Sequence, residues 1–251
     1  MFALLGENKI LCSDAAGYTT VYNATAGSFV GMPRRRLTPP RGPKHVAVSV
    51  RRTADHARAD VRGELAVDAE VFAENPRGDH DDSVYVLDMA RVVPDKPCSF
   101  DVLACYPVGS WRWRPLPPPP FLHDPGYRDP DKVAFAVVDD GTRICVSTAA
   151  ATYSFGTVAR EWSKAGDWVL PFQGEAEHVP ELGLWLGISA GSGGLYDVCA
   201  VDLAAAAMGS PPAVVQHVRL DQDRDPPKNL VADKSNPGEP RIRQVLRRHV
   251  L

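Results

Sequence analysis

Ala134-Phe-Ala-Val-Val138, Asp139-Asp-Gly141 and Arg143-Ile-Cys-Val146 read in order as a strand, a turn and a second strand. Asp-Gly between two apolar, β-branched runs is a strong hairpin signal, because both residue types tolerate the positive φ that tight turns need. Downstream, Thr152-Tyr-Ser-Phe155 is another short β-rich run, Trp162 marks the next, and Leu170-Pro171 closes the unit. The runs are short and show little helical periodicity, so the unit is a small antiparallel one of three or four strands.

The closing phrase recurs. It consists of a β-rich run ending in an aromatic, a loop, a second run, then an apolar residue followed by proline. It is present as Thr19–Tyr22, Ser28–Val30 and Met32-Pro33, and again as Phe100–Tyr106, Trp111–Trp113 and Leu116-Pro117, with identical spacing from aromatic to proline in both. In the third copy that interval is longer, from Phe155 to Pro171. A fourth copy, Val198–Asp202 with Val214-Val215, lacks the apolar-proline pair. Each copy follows an apolar run: Lys9–Cys12, Val84–Leu87, Arg143–Val146 and Leu184–Ile188. The steps from Tyr106 to Phe155 and from Phe155 to Val201 are nearly equal. Both fall in the period of about 40–50 residues, with several strands per unit, that is the signature of propeller blades. The expected fold is therefore all-β: a kelch-like β-propeller of about four blade units forming an incomplete ring, with far more strand than helix and with Trp162 and Trp185 largely buried.

The blades are expected over residues 1–218. The stretch from Tyr22 to Tyr106 is too long for one unit, and the excess falls in 51–82, read as a solvated insertion. Residues 219–251 read as a polar, disordered basic tail; an end helix with Ile242, Val245, Leu246 and His249 on one side is too short to stand alone. The first unit is expected to lack its innermost strand. An unclosed array leaves apolar blade faces exposed, and the tail holds too few apolar residues to cover one, so self-association or a completing partner is expected.

Composition narrows the function classes. A net charge of −3 gives no reason to expect nucleic acid or an acidic membrane surface as partner. The 23 prolines suit short strands and many turns. Cys12, Cys98, Cys105, Cys145 and Cys199 are odd in number, form no Cys-x-x-Cys pair and mostly lie in apolar runs, which reads as reduced, buried thiols. No signal peptide and no membrane-spanning stretch is present in the sequence, so an intracellular place, cytoplasmic or nuclear, is expected.

The run Ala151-Thr-Tyr-Ser-Phe-Gly-Thr-Val-Ala-Arg-Glu-Trp-Ser-Lys-Ala-Gly-Asp-Trp-Val-Leu-Pro-Phe172 closely resembles a family of plant (grass) proteins of unknown function. So do Glu177-His-Val-Pro-Glu-Leu-Gly-Leu-Trp-Leu-Gly187 and Trp111-Arg-Trp-Arg-Pro-Leu-Pro-Pro-Pro-Pro-Phe121. The resemblance covers roughly residues 1–218 and implies a kelch-like propeller related in style to F-box-associated ones. It carries over no activity, cofactor or catalytic residue. An F-box itself needs an added helical segment, and strand patterns begin by Lys9, so none is expected here.

Several patterns have to be weighed against plainer readings. Gly187-Ile-Ser-Ala-Gly191 has the Gly-x-Ser-x-Gly form of a hydrolase elbow, but Ser192-Gly-Gly194 follows where that elbow needs a helix, and a β-turn explains it better. The same glycines lack the Gly-Lys-Ser/Thr of a phosphate loop. Asp79-His-Asp-Asp82 holds metal-capable side chains, yet adjacent loop residues rarely converge on one ion, and a solvated acidic loop is the plainer reading. Arg34-Arg-Arg36 reads as a solvated surface run, and Pro117–Pro120 as a rigid connector rather than a polyproline ligand. Trp111, Trp113, Trp162, Trp168 and Trp185 read as packing between blades rather than the walls of a ligand pocket. No catalytic, cofactor-binding or metal-binding residue is therefore assigned, and no cofactor. The leading expectation is a non-enzymatic protein-interaction module with an unidentified protein partner. The alternative is a small-molecule-binding or hydrolytic enzyme whose site lies in propeller-mouth loops carrying Asp14, Asp139, Asp167 and Glu181.

Overall fold

The computed structural model describes residues 2–6, 8–14, 18–32, 45–53, 55–56, 59, 82–89, 100–105, 111–128, 133–190, 198–204 and 210–218. Arg34–Arg36, residues 79–81, 191–197 and the tail from 219 onward lie outside them, so the readings made there stand as expectations.

Sixteen strands are present among the described residues, and they fall into four consecutive groups of four. Strands β1 (Phe2–Leu4), β2 (Lys9–Ser13), β3 (Thr19–Asn23) and β4 (Ser28–Met32) make the first antiparallel sheet. The second is β5 (His45–Val50), β6 (Ser83–Asp88), β7 (Phe100–Cys105) and β8 (Trp111–Pro115). The third is β9 (Ala134–Val138), β10 (Arg143–Ser147), β11 (Thr152–Gly156) and β12 (Glu161–Gly166), and the fourth β13 (Phe172–Val179), β14 (Leu184–Ser189), β15 (Val198–Asp202) and β16 (Ala213–Val218). Gly174–Ala176 of β13 pair in parallel with Ala134–Ala136 of β9, which joins the third and fourth groups into one eight-stranded sheet. The protein is all-β, with 3-10 turns at Pro120–His123 and Asp139–Gly141.

Four up-and-down sheets whose first strands follow one another side by side are blades of an incomplete propeller. Gly6 at the end of β1 contacts Ser49 near the end of β5, and Gly141 after β9 sits beside Val50 and Arg51 after β5. The innermost strands β1, β5, β9 and β13 thus run in the same direction in sequence order. The first blade is complete: β1 supplies the innermost strand that the sequence reading leaves out. A strand this short is too brief to register by pattern alone.

Alternation within each strand builds the core. Ala3, Leu5, Leu11 and Val21 of the first blade meet Val84, Val86 and Leu103 of the second. The opposite face of the second blade, with Val48, Tyr85, Phe100 and Val102, meets Ile144, Val146 and Phe155 of the third. The third and fourth blades share Ala136, Cys145, Phe172, Trp185 and Cys199. These inter-blade layers are the main hydrophobic term. Of the aromatics of the repeated phrase, Phe155 lies inside them, whereas Tyr22 is on the open face of the first blade. Phe155, opposite Trp162 in the ladder, packs edge-on against Phe100 with ring centroids 4.7 Å apart.

Trp185 is buried as expected and donates its indole N–H to the Val137 carbonyl at 2.7 Å. Trp162 is only half-buried. It packs on the core with its ring while its N–H reaches the Pro117 carbonyl at 2.9 Å, at the rim. Trp111, Trp113 and Trp168 also pack part-buried against inter-blade layers. Pro117–Pro120 connect β8 to the turn that buries Phe121 and Leu122 under the third blade.

β5 ends at Val50 and β6 begins at Ser83, so residues 51–82 are the connection between them. Its start is not solvated: Arg52 and His56 are buried. No helix among the described residues is long and apolar enough to cross a membrane.

Candidate functional site

A wide opening lies where the ring does not close, between the inner strand of the first blade and that of the fourth. Phe2 and Leu4 of β1 form one wall, Glu175 and Glu177 of β13 with Ile188 of β14 form the other, and Ala47 and Ser49 of β5 lie behind. The cleft has a volume of about 540 Å³, within the range of about 300–1,000 Å³ that ligand sites occupy.

The two walls differ: the first blade presents an open apolar face, whereas most of the apolar face on the fourth blade is buried. On the first blade, Leu4, Ile10, Tyr22 and Phe29 are successive cross-strand partners, so one apolar row crosses the whole sheet. Phe2 is 78% exposed, Leu4 66% and Phe29 71%. The Tyr22 and Phe29 rings lie 4.9 Å apart, as cross-strand aromatic neighbours do. On the outer face of the fourth blade, Val179, Leu186, Val198 and Ala200 form a small buried cluster, with Ile188 exposed beside it.

The carboxylates are aimed by an irregularity in β13. Its pairing with β14 shifts register between Gln173 and Glu177, and the intervening Gly174–Ala176 pair with β9 instead. Gly174 adopts φ +75°, a backbone conformation that L side chains rarely take, and its amide bonds the Val133 carbonyl at 2.7 Å. The bulge turns Glu175 and Glu177 into the cleft. Desolvation beside the apolar walls, then the adjacent Glu177 carboxylate, push Glu175 up to about 7, although the residue as a whole is exposed. At neutral pH this carboxyl shares its population between acid and carboxylate, and it can give or take a proton or meet a cation.

The residues named for a propeller-mouth site do not converge. Asp139 follows β9 and Glu181 follows β13, so these two sit at one end of the blades. Asp14 follows β2 and Asp167 follows β12, both antiparallel to their inner strands, which puts them at the opposite end. Asp139 pairs with Arg143 at 3.3 Å and Asp167 pairs with Lys164. The Asp14 carboxylate accepts the Tyr18 amide at 2.9 Å, closing its own hairpin. These carboxylates organise turns.

Ser189 is buried at the end of β14, opposite Phe172 in the ladder, and the next amide, Ala190, still bonds the Pro171 carbonyl. Gly187 has a packing role, because a Cβ there would lie 2.9 Å from Phe172. Asp82 meets the Ser49 hydroxyl at 3.4 Å. Among the described residues, no group of three or more His, Cys, Asp or Glu is close enough to hold a metal ion. Of the cysteines, Cys12, Cys145 and Cys199 are free thiols, the last two buried.

Residues 1–244 match the model of a family described as "Protein of unknown function (DUF1668)". The chain belongs to this family. The match runs past Val218 and into the tail, beyond the stretch over which the sequence resemblance is drawn. No match is found among curated proteins. Among solved structures, the chain is similar to one in "Crystal structure of Nidogen/Laminin Complex", at 12% identity and a TM-score of 0.43, over 86% of this chain and 61% of that one. The chain thus spans about three fifths of the length of that solved chain. Within the family's matched region lie all four blades and both walls of the cleft.

Proposed function

We propose that this chain is a non-enzymatic protein-interaction module of kelch-like type that presents the outer half of its first-blade face to a protein partner. The observation that carries the reading is the cross-strand row ending in Ile10, Tyr22 and Phe29, an apolar stripe on a face with no fifth blade packed against it among the described residues. Contiguous exposed apolar surface of this kind marks interaction sites. The four-stranded blades, each with an apolar or aromatic residue at the end of its third-strand phrase, support the kelch-like assignment and its likeness in style to the plant F-box-associated propellers. The separation of Asp14 and Asp167 from Asp139 and Glu181 argues against a catalytic mouth.

The test is affinity capture with the full chain and with an Ile10→Asp, Phe29→Asp variant, both checked for an unchanged circular-dichroism spectrum. A reproducible partner held by the wild type and lost by the variant is the expected result. Equal capture by both, or no partner at all, overturns it. A second reading, a small-molecule binder, is favoured by Glu175 in its apolar cleft. A metabolite recovered on the wild type and lost on Glu175→Gln supports that one instead.

A further inference from the structure

The cleft between the first and fourth blades combines apolar walls with two carboxylates, and no positively charged side chain is among the described residues that line it. A ligand that fits must be apolar along its length and cationic at intervals. The chain itself carries such a segment. Arg241-Ile-Arg-Gln-Val-Leu-Arg-Arg-His-Val-Leu251 has four arginines, no acidic residue and five aliphatic side chains. We propose that Arg241–Leu251 docks into this cleft of its own chain, with aliphatic side chains against Phe2, Leu4 and Ile188 and arginines on Glu175 and Glu177.

Reach and capacity both allow it. The chain between the end of β16 at Val218 and Arg241 spans roughly 70 Å when extended. The fourth blade is only three strand spacings wide from β16 to β13, on the order of 14 Å. The tail has too few apolar residues to cover a whole blade face, but a cleft of about 540 Å³ takes only a few side chains, so the segment lies along the opening and inserts some of its aliphatic and arginine side chains. A guanidinium offers planar, paired N–H donors that match a carboxylate, and is more weakly hydrated than an ammonium, so it suits a partly desolvated acid pair. Tethering raises the local concentration to the millimolar range, so a modest intrinsic affinity keeps the cleft filled. The docked tail occupies the inner end of the first-blade face and leaves Ile10 and Phe29 uncovered, so this inference goes beyond the interaction-module reading and does not depend on it.

The test titrates a fluorescent Arg241–Leu251 peptide into the full chain and into a full-length variant whose own tail is neutralised, Arg241→Gln, Arg243→Gln, Arg247→Gln and Arg248→Gln. The neutralised chain should bind the peptide at least about tenfold more tightly than the wild type, whose tail competes. Adding Glu175→Gln and Glu177→Gln, or raising NaCl to about 0.5 M, should weaken that binding about tenfold or more. Equal binding to wild type and neutralised chain, no binding to either, or indifference to both the carboxamides and salt overturns the proposal. Sedimentation of the wild type decides the topology. A monomer supports docking within one chain, whereas a dimer that the tail substitutions dissociate puts the tail on a second copy and overturns it. No protein partner enters these measurements, so their failure leaves the capture experiment standing.

Discussion

His56 Nε2 lies 2.8 Å from the Thr157 hydroxyl oxygen, 101 residues away, and this buried contact ties the start of the β5–β6 connection to the third blade. Thr157 donates its own hydrogen to the Gly141 carbonyl at 2.7 Å, so its oxygen accepts from His56 Nε2–H. The other ring nitrogen, Nδ1, then accepts the Thr53 amide at 3.1 Å. One neutral tautomer satisfies every partner in the chain of bonds. Thr157→Val removes both the donor and the acceptor and strands the Gly141 carbonyl and the imidazole N–H. The expected cost is about 1–3 kcal/mol, read as a drop in Tm of about 2–4 °C per kcal/mol. Limited proteolysis between residues 51 and 82 should also speed up in the variant.

Glu175 gives stability a pH dependence of unusual sign for a carboxylate. Its folded-state value is about 7 against an ordinary 4.5, so the folded protein holds a proton that the unfolded chain has released. Stability from this group is therefore full below about pH 4.5 and declines as pH rises through 7. In the chain whose four tail arginines are replaced by glutamine, adding Glu175→Gln should leave the melting temperature unchanged near pH 4 and raise it at pH 8. Equal melting temperatures at both pH values contradict this.

The Gly187→Ala substitution tests the packing account of the Gly-x-Ser-x-Gly stretch. The added methyl meets Phe172 Cβ and Cγ at 2.9 Å and Ala176 Cβ at 3.2 Å, in the layer between the third and fourth blades. Overpacking of this kind costs about 1–3 kcal/mol. Ser189→Ala, at the end of the same strand, should leave any partner capture unchanged. Hydrolase activity abolished by Ser189→Ala would refute the packing account.

Thiol reactivity should separate the free cysteines. Burial pushes Cys145 and Cys199 up to about 11, and both lie within inter-blade packing. Cys12 sits half-buried on the open face of the first blade, next to Phe2 in the ladder. Iodoacetamide at pH 8, followed by peptide mass spectrometry, should modify Cys12 within the native protein and the other two only after denaturant is added.

The repeated phrase reports the second, third and fourth strands of each blade, because those carry apolar runs and aromatics that pack between blades. Of the innermost strands, β9 is legible from the Asp-Gly turn that follows it, and the other three are hidden for separate physical reasons. β1 has three residues. β5 alternates cleanly, with Val46, Val48 and Val50 buried, but it precedes the phrase and sits before the long connection. In β13 the buried residues are Phe172, Ala176 and Val179, spaced four and three apart like a helix stripe, because the bulge at Gly174 breaks the period of two. The same bulge concealed the cleft. Glu175 and Glu177 look like ordinary strand-surface acids until the register shift turns them into the opening between the first and fourth blades. Asp139 and Asp167, by contrast, looked more like chemistry than they are, since their neutralising partners Arg143 and Lys164 lie four and three residues away, as turns require.

The parallel ladder between β9 and β13 also divides the molecule mechanically. Backbone hydrogen bonds weld the third and fourth blades into one sheet, whereas the first and second blades are held to their neighbours mainly by side-chain layers. Such layers slide more easily than a ladder breaks, so the weakest seams flank the second blade. A load that pries the ring wider peels away the first blade as a flap and leaves the welded pair intact as the last unit to exchange its amides. The gap then widens from one side only, and the fixed jamb is the one that carries the acids.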